Sequence, residues 1–408
     1  VTTCAKGAIT SFISFAAVSL PASRTHRAKT DDRAASAVGA VVSVQPSQAA
    51  ELAAIVAANP PGTTYKFASG LYRLGDKPIY PKDGITFEGA VPCAPTGPTA
   101  RPDPHVLGGG AAWRAASNGK EVLQMCESSG MKPTVLSGAV LLQNATRDPA
   151  TGYWHQAGVA GLDSGQHGAC CASAGQQMCV LGARPACGFP NDLFFEGTKL
   201  FRRAPSIANM SKSELSWYIQ FDQPNPSGAM FHYGTGTVYF SLPPPFDEQY
   251  SDDSPPEVEV SVLPKLFYAG GGWDPKGSGA SNVTVKNLVV EKVASYAQAA
   301  AIMSSCSPAD AAAGKLDCGW QVESVEVRFS HGGGIHNSAG ARVLNSSAHH
   351  NGQSGTGGGS GLVQGCEIAY NNQAGFDCGW EAGGAKWVTH TGSLEISANF
   401  VHDNLGDG

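Results

Sequence analysis

The sequence predicts an all-β fold, a parallel β-helix in which successive coils of the chain stack as a solenoid. The chain of 408 residues contains 51 glycines and 26 prolines but only 15% charged residues, which is typical of a turn-rich protein rather than a helical bundle. A short strand pattern recurs in the C-terminal half, and a polar residue recurs at a fixed distance behind it. These three observations carry the prediction.

The strand pattern is a short segment with an apolar first residue and an apolar or small last residue. Its copies begin about twenty residues apart at the two shortest intervals, the length expected of one coil, and the longer intervals are expected to contain a loop. We therefore expect the first residues to form one buried column, made of Val285, Val322, Val343, Val363 and Ile396.

A polar column and a glycine column follow the strand pattern. Stacked coils repeat about every 4.8 Å, so asparagines at one turn can form a hydrogen-bonded ladder. The glycines are predicted to supply the positive φ that the turn requires. The polar column is Ser330, Asn351, Asn371 and Asn404, and the glycine column is Gly334, Gly355, Gly375 and Gly408.

The N-terminal region predicts an extended arm over residues 1–46. Within it, Ala8–Leu20 fits either a signal-peptide core or an N-terminal strand. The segment Ser47–Ala58 predicts an amphipathic helix with Ser47 as N-cap, and such a helix can cover the open end of a strand stack. Residues 47–144 are accordingly predicted to hold this capping helix and the first coils, with strands at Thr64–Phe67 and Gly84–Glu88.

The middle of the chain differs from its flanks. Residues 145–264 predict an inserted Cys- and Pro-rich subdomain of antiparallel β structure, and residues 265–408 predict further coils that continue beyond residue 408. Strands are expected in the insert at Ser216–Phe221, Thr237–Ser241 and Val258–Val262.

Eleven cysteines indicate an oxidising compartment, and hence a secreted or cell-surface protein. No C-x2-C pair is present, so disulfides are favoured over a zinc site. Cys306 and Cys318 bracket a short loop, and Cys366 and Cys378 are placed to bridge one coil to its loop. The predicted disulfide cysteines are Cys170, Cys171, Cys179, Cys187, Cys306, Cys318, Cys366 and Cys378.

Other signals limit the partners. A net charge of −6 without a basic stripe argues against nucleic acid, and no apolar run is long enough to span a bilayer. No nucleotide or dinucleotide fingerprint appears, so no cofactor and no metal are predicted. N-glycosylation is predicted at Asn144, Asn209, Asn282 and Asn345, on condition that the chain is secreted.

Several runs in the C-terminal half resemble those of secreted proteins of the right-handed parallel β-helix superfamily, the pectin-lyase-like fold. The runs are His349–Gln353, Ile368–Asn372, Gly375–Asp377, Trp380–Lys386 and Val401–Asn404. The resemblance implies the fold but not a reaction, because the superfamily includes lyases, hydrolases, adhesins and structural proteins. The sequence lacks an arginine-bearing strand beside an aspartate cluster, as lyases have, and the strand-borne aspartate pairs of polygalacturonases.

One polar cluster is a candidate catalytic site. Asp377, Glu381 and Asp403 are predicted to form an acid and base set on neighbouring coils, with His350 or His402 assisting. Trp380 and Trp387 could stack on sugar rings. The alternative is that they pack a loop against the solenoid.

Two classes of function remain open from the sequence. In the first, the protein is a glycosylated structural or binding unit of an extracellular matrix, sheath or surface filament, contacting glycans or neighbouring copies of itself. In the second, it is a carbohydrate-active enzyme, a glycoside hydrolase or polysaccharide lyase, that acts on an extracellular polysaccharide.

Overall fold

The computed structural model describes residues 39–90, 132–171, 187–223, 225, 231–268, 279–306, 308–314, 318–337, 340–359, 361–388 and 393–406. Within these ranges the chain is an all-β parallel β-helix, as the sequence predicts, together with two sheets of mainly antiparallel strands. Ala8–Leu20, Cys179 and Gly408 lie outside the described residues.

Three parallel sheets, here called A, B and C, form the walls of the β-helix. The chain runs through a strand of A, then B, then C in each complete coil. Sheet A contains Val41–Val44, Thr64–Phe67, Thr86–Glu88, Thr284–Lys286, Gln321–Glu323, Ala341–Leu344, Gly361–Gln364 and Leu394–Ser397. Sheet B contains Gly70–Arg73, Thr134–Ser137, Val289–Glu291, Glu326–Arg328, Ser347–His349, Glu367–Ala369 and Phe400–His402. Sheet C contains Phe267–Tyr268, Ala300–Met303, Gly333–Asn337, Ser354–Gly358 and Gly383–Trp387.

The strands of sheet A stack in the register that the sequence pattern predicts. The five first residues of the pattern pair directly with one another, from Val285 to Ile396. The four valines of this column are at most 3% exposed, whereas Ile396 in the last described coil is 46% exposed. Because side chains alternate between the two faces of a strand, this register also decides which residues of each coil point outward.

The glycine column occurs for a different reason from the one predicted. Of the three glycines of this column that the structure describes, only Gly375 has a positive φ, of 77°, whereas Gly334 and Gly355 lie within strands of sheet C. A Cβ atom on Gly355 would lie 2.6 Å from Asn371 Nδ2, and one on Gly334 would lie 2.9 Å from Asn351 Nδ2. Glycine at these two positions therefore makes room for the asparagine ladder rather than for a left-handed turn.

Helical structure is sparse and short. The capping helix consists of a 3-10 turn, Pro46–Glu51, that continues into α1, Leu52–Ala58. Gln45, not the predicted Ser47, precedes the first turn, because the proline at position 46 suits the first position of a helix. The other helices among the described residues are α2, Pro308–Ala312, α3, Cys378–Glu381, and 3-10 turns at Ile207–Asn209 and Asp247–Gln249.

Two further sheets, D and E, lie in the middle of the chain and have a hydrophobic core of their own, which includes Trp154, Trp217 and Phe240. Two strands differ from the predicted boundaries. Val41–Val44 belongs to sheet A, although the sequence predicts an extended arm up to residue 46, and Ala139–Leu141 belongs to sheet D, although the sequence predicts coils up to residue 144. Sheet D contains Lys199–Leu200, Leu193–Phe195, Val258–Ser261 and Ala139–Leu141. Sheet E contains Arg202–Arg203, Ser216–Phe221, Tyr233–Ser241, Trp154–Asp163 and Thr146–Arg147.

Candidate functional site

The outward face of sheet B carries a row of charged side chains that the sequence analysis missed. Arg328 donates from Nε and Nη2 to Glu291 Oε2 at 2.9 and 2.7 Å, and from Nη1 to Glu326 Oε1 at 2.8 Å. All three side chains are at most 7% exposed. They point outward because the residues between them, such as Val327, point into the β-helix.

The row continues into sheet D, which covers it. Lys292 Nζ lies 2.5 Å from Glu259 Oε2 and 3.3 Å from Glu291 Oε1, and Arg73 Nη2 lies 2.8 Å from Glu259 Oε1. Glu259 belongs to a strand of sheet D, and Phe194 of the same sheet lies over the Lys292 ammonium. These ion pairs therefore join sheet D to the β-helix at a buried boundary.

The electrostatics of this row hold both glutamates ionised. Burial alone would raise the pKa of Glu326, but Arg328 and His349 outweigh it and lower the pKa to about 2. The pKa of Glu291 is likewise lowered, because Arg328 and Lys292 outweigh the effect of burial. A pattern of charged residues two apart around a buried valine, as in Glu326–Arg328, was the available signal in the sequence.

Aromatic rings form a ladder where the chain leaves sheet B. Phe329, His350 and Tyr370 each follow the last residue of a sheet B strand, and each has a φ close to 55°. The centroids of Phe329 and His350 are 5.6 Å apart, and those of His350 and Tyr370 are 4.9 Å apart and stacked. Burial, together with the charges of His349 and Arg328, lowers the pKa of His350 to about 3.

The ladder leads to His402, which lies between two carboxylates. Tyr370 meets the His402 ring edge to face at 5.4 Å. His402 Nε2 is 3.1 Å from Glu367 Oε1, and its Nδ1 is 2.9 Å from Asp403 Oδ2. Burial opposes protonation of His402, but hydrogen bonds to Glu367 and Asp403 outweigh it and raise the pKa of the imidazole. His402 is 14% exposed and Asp403 59% exposed, so this end of the ladder is open to solvent.

A cleft of about 230 Å³ lies beside the ladder, between sheet D and the coils. One wall contains Asp192 and Phe194, and the other contains Phe329, His350 and Gln373. Asp192 Oδ2 is 2.9 Å from His331 Nδ1, so its carboxylate is anchored to the β-helix. We call the ladder, this cleft and the His402 cluster the corner groove.

Asp377 and Glu381 have local partners on the sheet C side. Asp377 caps α3, since its Oδ1 accepts a hydrogen bond from the Gly379 amide at 2.8 Å. Glu381 Oε1 lies 3.7 Å from Lys386 Nζ. The candidate set thus divides: His350, His402 and Asp403 belong to the corner groove, and Asp377 and Glu381 do not line it.

The two tryptophans flagged in the sequence pack within the protein. Trp380 meets His167 at 5.8 Å and Phe376 at 6.1 Å between ring centroids. Trp387 packs against the core of the β-helix. Packing is therefore what the structure shows for both rings.

The asparagines stack as a ladder inside the β-helix. Asn351 Nδ2 donates to Asn371 Oδ1 at 3.0 Å, and Asn371 Nδ2 donates to Asn404 Oδ1 at 2.9 Å. Asn371 Oδ1 also accepts from the Asn351 amide at 3.1 Å. Asn351 and Asn371 are fully buried, so their role is structural.

Disulfides join Cys170 to Cys187 and Cys306 to Cys318, and Cys171 is also disulfide-bonded. The prediction that Cys366 and Cys378 form a bridge between coil and loop is wrong, because both remain buried thiols. Cys366 belongs to the β-helix core and Cys378 to a separate small cluster around Phe376, so the two sulfurs point into different parts of the molecule.

The four predicted glycosylation sites differ in exposure. Asn144, Asn209 and Asn282 are exposed, whereas Asn345 is partly buried. Asn282 and Asn345 have φ values of 58° and 47°, a conformation that asparagine tolerates better than most residues. Their turn position thus explains these two asparagines without a glycan, and glycosylation stays a prediction.

Comparison with known proteins gives one structural neighbour and no family. No family model and no curated protein matches the sequence. The fold is similar to that of XylC, solved in complex with xylose, with a TM-score of 0.54 and 13% identity. The match covers 86% of this chain and 55% of XylC, so the chain spans little more than half the length of that protein. At this identity the likeness supports the fold alone. In the described part of the chain, no helix is long and apolar enough to cross a membrane.

Proposed function

We propose that this protein is an extracellular carbohydrate-active β-helix protein that binds a polysaccharide in the corner groove. The observation that carries the proposal is the ladder of Phe329, His350 and Tyr370, one partly exposed ring per coil, beside a cleft with a carboxylate wall. Because neighbouring rings stack on one another, they offer apolar ring edges to the groove at the coil spacing of about 4.8 Å, and such a regular repeat suits a polymer. The disulfides are compatible with secretion, and XylC, the structural neighbour, was solved with a sugar.

The test of binding is affinity electrophoresis against extracellular polysaccharides, including pectin, alginate, xylan and algal glycans. Tyr370→Asn removes one ring while keeping a residue that tolerates positive φ, and we expect several-fold weaker retention, from ~0.5–1.5 kcal/mol of lost aromatic contact. His155→Asn is the matched control, since His155 stacks on Tyr239 in sheet E, away from the groove. Equal retention of both variants and the unaltered protein would contradict the proposal.

Catalysis is a second candidate function, favoured by the His402 cluster. An imidazole held by two carboxylates, with a raised pKa and partial exposure, can donate a proton to a departing glycosidic oxygen. Such a role predicts that turnover is lost as the pH rises through a pKa above the ordinary ~6.5 of histidine. Glu367 and Asp403 would then orient the ring and maintain its charge.

The activity test measures reducing-end release and unsaturated uronate from the same glycans. His402→Gln is expected to lower turnover by about 10²–10⁴-fold with binding retained. Glu381→Gln is the informative comparison, because the sequence pattern points to Glu381 as an acid or base. Activity lost in Glu381→Gln but retained in His402→Gln would place the chemistry on the sheet C side.

A structural or filament role predicts a different pattern. Glycans would be neither bound nor cleaved, and sedimentation would show association of copies that grows with concentration. Retention of a glycan by a protein that sediments as a monomer would favour the groove over this alternative.

A further inference from the structure

A second cavity, of about 470 Å³, opens on the side of sheet E. Its volume lies within the ~300–1,000 Å³ range of ligand pockets, and it is larger than the cleft of the corner groove. Polar and aromatic side chains line it, among them Ser164, Gln166, Phe189, Arg203 and Tyr218. No carboxylate stands among the lining residues that the structure describes.

Arg203 is the charged group of this cavity, and its guanidinium is held between two rings. Its Cζ lies 4.0 Å from the centroid of Phe189 and 5.3 Å from that of Trp217. Ring faces fix the plane of the guanidinium without using its N–H donors. The position of Arg203 is also set by the backbone, since its strand pairs with Ser216–Phe221.

The Nη1 atom of this guanidinium is not used in hydrogen bonds within the described part of the chain. Arg203 Nη1 is buried and has no hydrogen-bond acceptor among the described residues. A buried donor without a partner is uncommon in native proteins and costs free energy unless something occupies the site. Burial also disfavours the charged form of the guanidinium, because it is the largest influence on the Arg203 pKa and lowers it to about 10.

The carboxylates nearest to Arg203 are engaged elsewhere. Asp163 Oδ1 accepts hydrogen bonds from the amides of Gly165 and His232, both at 2.8 Å. Asp192 is paired with His331 at 2.9 Å. Both act on Arg203 only through their charge, and neither accepts a hydrogen bond from its Nη1 atom.

We propose that this cavity, which we call the arginine pocket, binds an anionic group carried on a sugar, with Arg203 as its counter-ion. The sugar ring then lies against Phe189 and Tyr218, while Ser164 and Gln166 offer polar contacts to ring hydroxyls. A uronate carboxylate and a sulfate ester share this chemistry. That the ligand is a sugar rests on the proposed function above; that the pocket binds an anion does not.

The test measures the affinity of the full chain for matched oligosaccharides by titration calorimetry. Galacturonate oligomers, their methyl esters and sulfated galactose oligomers separate a carboxylate from a neutral ring and from a sulfate ester. We expect a charged oligomer to bind at least ten-fold more tightly than the neutral ester, as a charge-assisted bond lost to the ester implies. Whichever charged oligomer binds identifies the source of the anion.

Three variants assign the binding to the pocket. Arg203→Gln should weaken binding of the charged oligomer about ten-fold or more and leave the ester unchanged. Gln166→Glu places a negative charge at the exposed rim of the pocket without touching a core, and should act in the same direction. Arg202→Gln is the matched control, because Arg202 is the next residue on the same strand but is exposed and paired with Glu214.

Each outcome decides the proposal. The proposal would be overturned if charged and neutral oligomers bound equally or if no charged oligomer bound at all. It would also be overturned if Arg202→Gln had the same effect as Arg203→Gln and Gln166→Glu. Loss of ester binding in Tyr370→Asn, with no effect of charge, would leave the corner groove standing and remove the arginine pocket alone. Charge-dependent binding that Tyr370→Asn does not alter would do the reverse.

Discussion

Replacing Arg328 with methionine is expected to destabilise the protein strongly, because it removes the cation at the centre of a buried row of ion pairs. Arg328 is 2% exposed and makes three hydrogen bonds, of 2.7–2.9 Å, to Glu291 and Glu326. Removing the cation leaves two buried carboxylates without it, and breaking a buried pair in this way costs about 3–5 kcal/mol. Urea unfolding followed by tryptophan fluorescence measures the change, with the slope checked for two-state behaviour.

Two comparisons separate charge from packing. Adding Glu291→Gln to Arg328→Met removes one of the stranded charges, so the double variant should regain part of the loss through a coupling of at least ~1 kcal/mol. Arg202→Met breaks the exposed pair with Glu214, 45% and 43% exposed, and should cost no more than about 1 kcal/mol. A loss below ~1 kcal/mol for Arg328→Met, or strictly additive effects in the double variant, would refute the buried-network reasoning.

Three further outcomes are expected. The pKa of about 3 for His350 in the folded state lies below the unfolded value of ~6.5, so between these two pH values the unfolded state binds a proton that the folded state does not. Acidification below about pH 6.5 should therefore destabilise the protein by at most ~1.4 kcal/mol per pH unit. His350→Asn should lose this part of the pH dependence, as measured by melting curves at pH 7, 6 and 5. Asn371→Ala should lower the free energy of unfolding by about 2–4 kcal/mol, because it leaves buried donors and acceptors of the asparagine ladder unpaired. An unchanged urea midpoint would argue against the asparagine ladder. Gly355→Ala forces a Cβ to 2.6 Å from the ladder and should cost about 1–3 kcal/mol, whereas Gly234→Ala, with no atom within 4 Å, should be close to neutral; equal midpoints would contradict this.

The architecture could be predicted because each coil repeats the same physical requirement. A buried column such as Val285 to Val363 fills one wall, and a column such as Asn351, Asn371 and Asn404 satisfies its own hydrogen bonds, so both appear as periodic residues in the sequence. Periodicity does not reveal the cause of each column. Gly334 and Gly355 are required by space beside the ladder, although a turn was the natural interpretation.

The candidate site was predictable only in part, because the loops between coils do not follow the coil register. Asp377 and Glu381 were expected on a coil next to that of Asp403, yet the loop that carries them forms α3 and gives Asp377 a capping role. Sheets D and E determine three features of the sites: the cleft wall with Asp192, the pairing of Glu259 with Lys292, and the position of Arg203. Such contacts join residues far apart in sequence, and no local pattern records them.

The location of a bound oligosaccharide tests the central claim most directly. We expect a crystal structure with a retained glycan to show sugar rings along Phe329, His350 and Tyr370, with the reducing or cleaved end near His402. Sugar seated instead beside Trp380 and Glu381, on the sheet C side, would contradict the assignment of the corner groove.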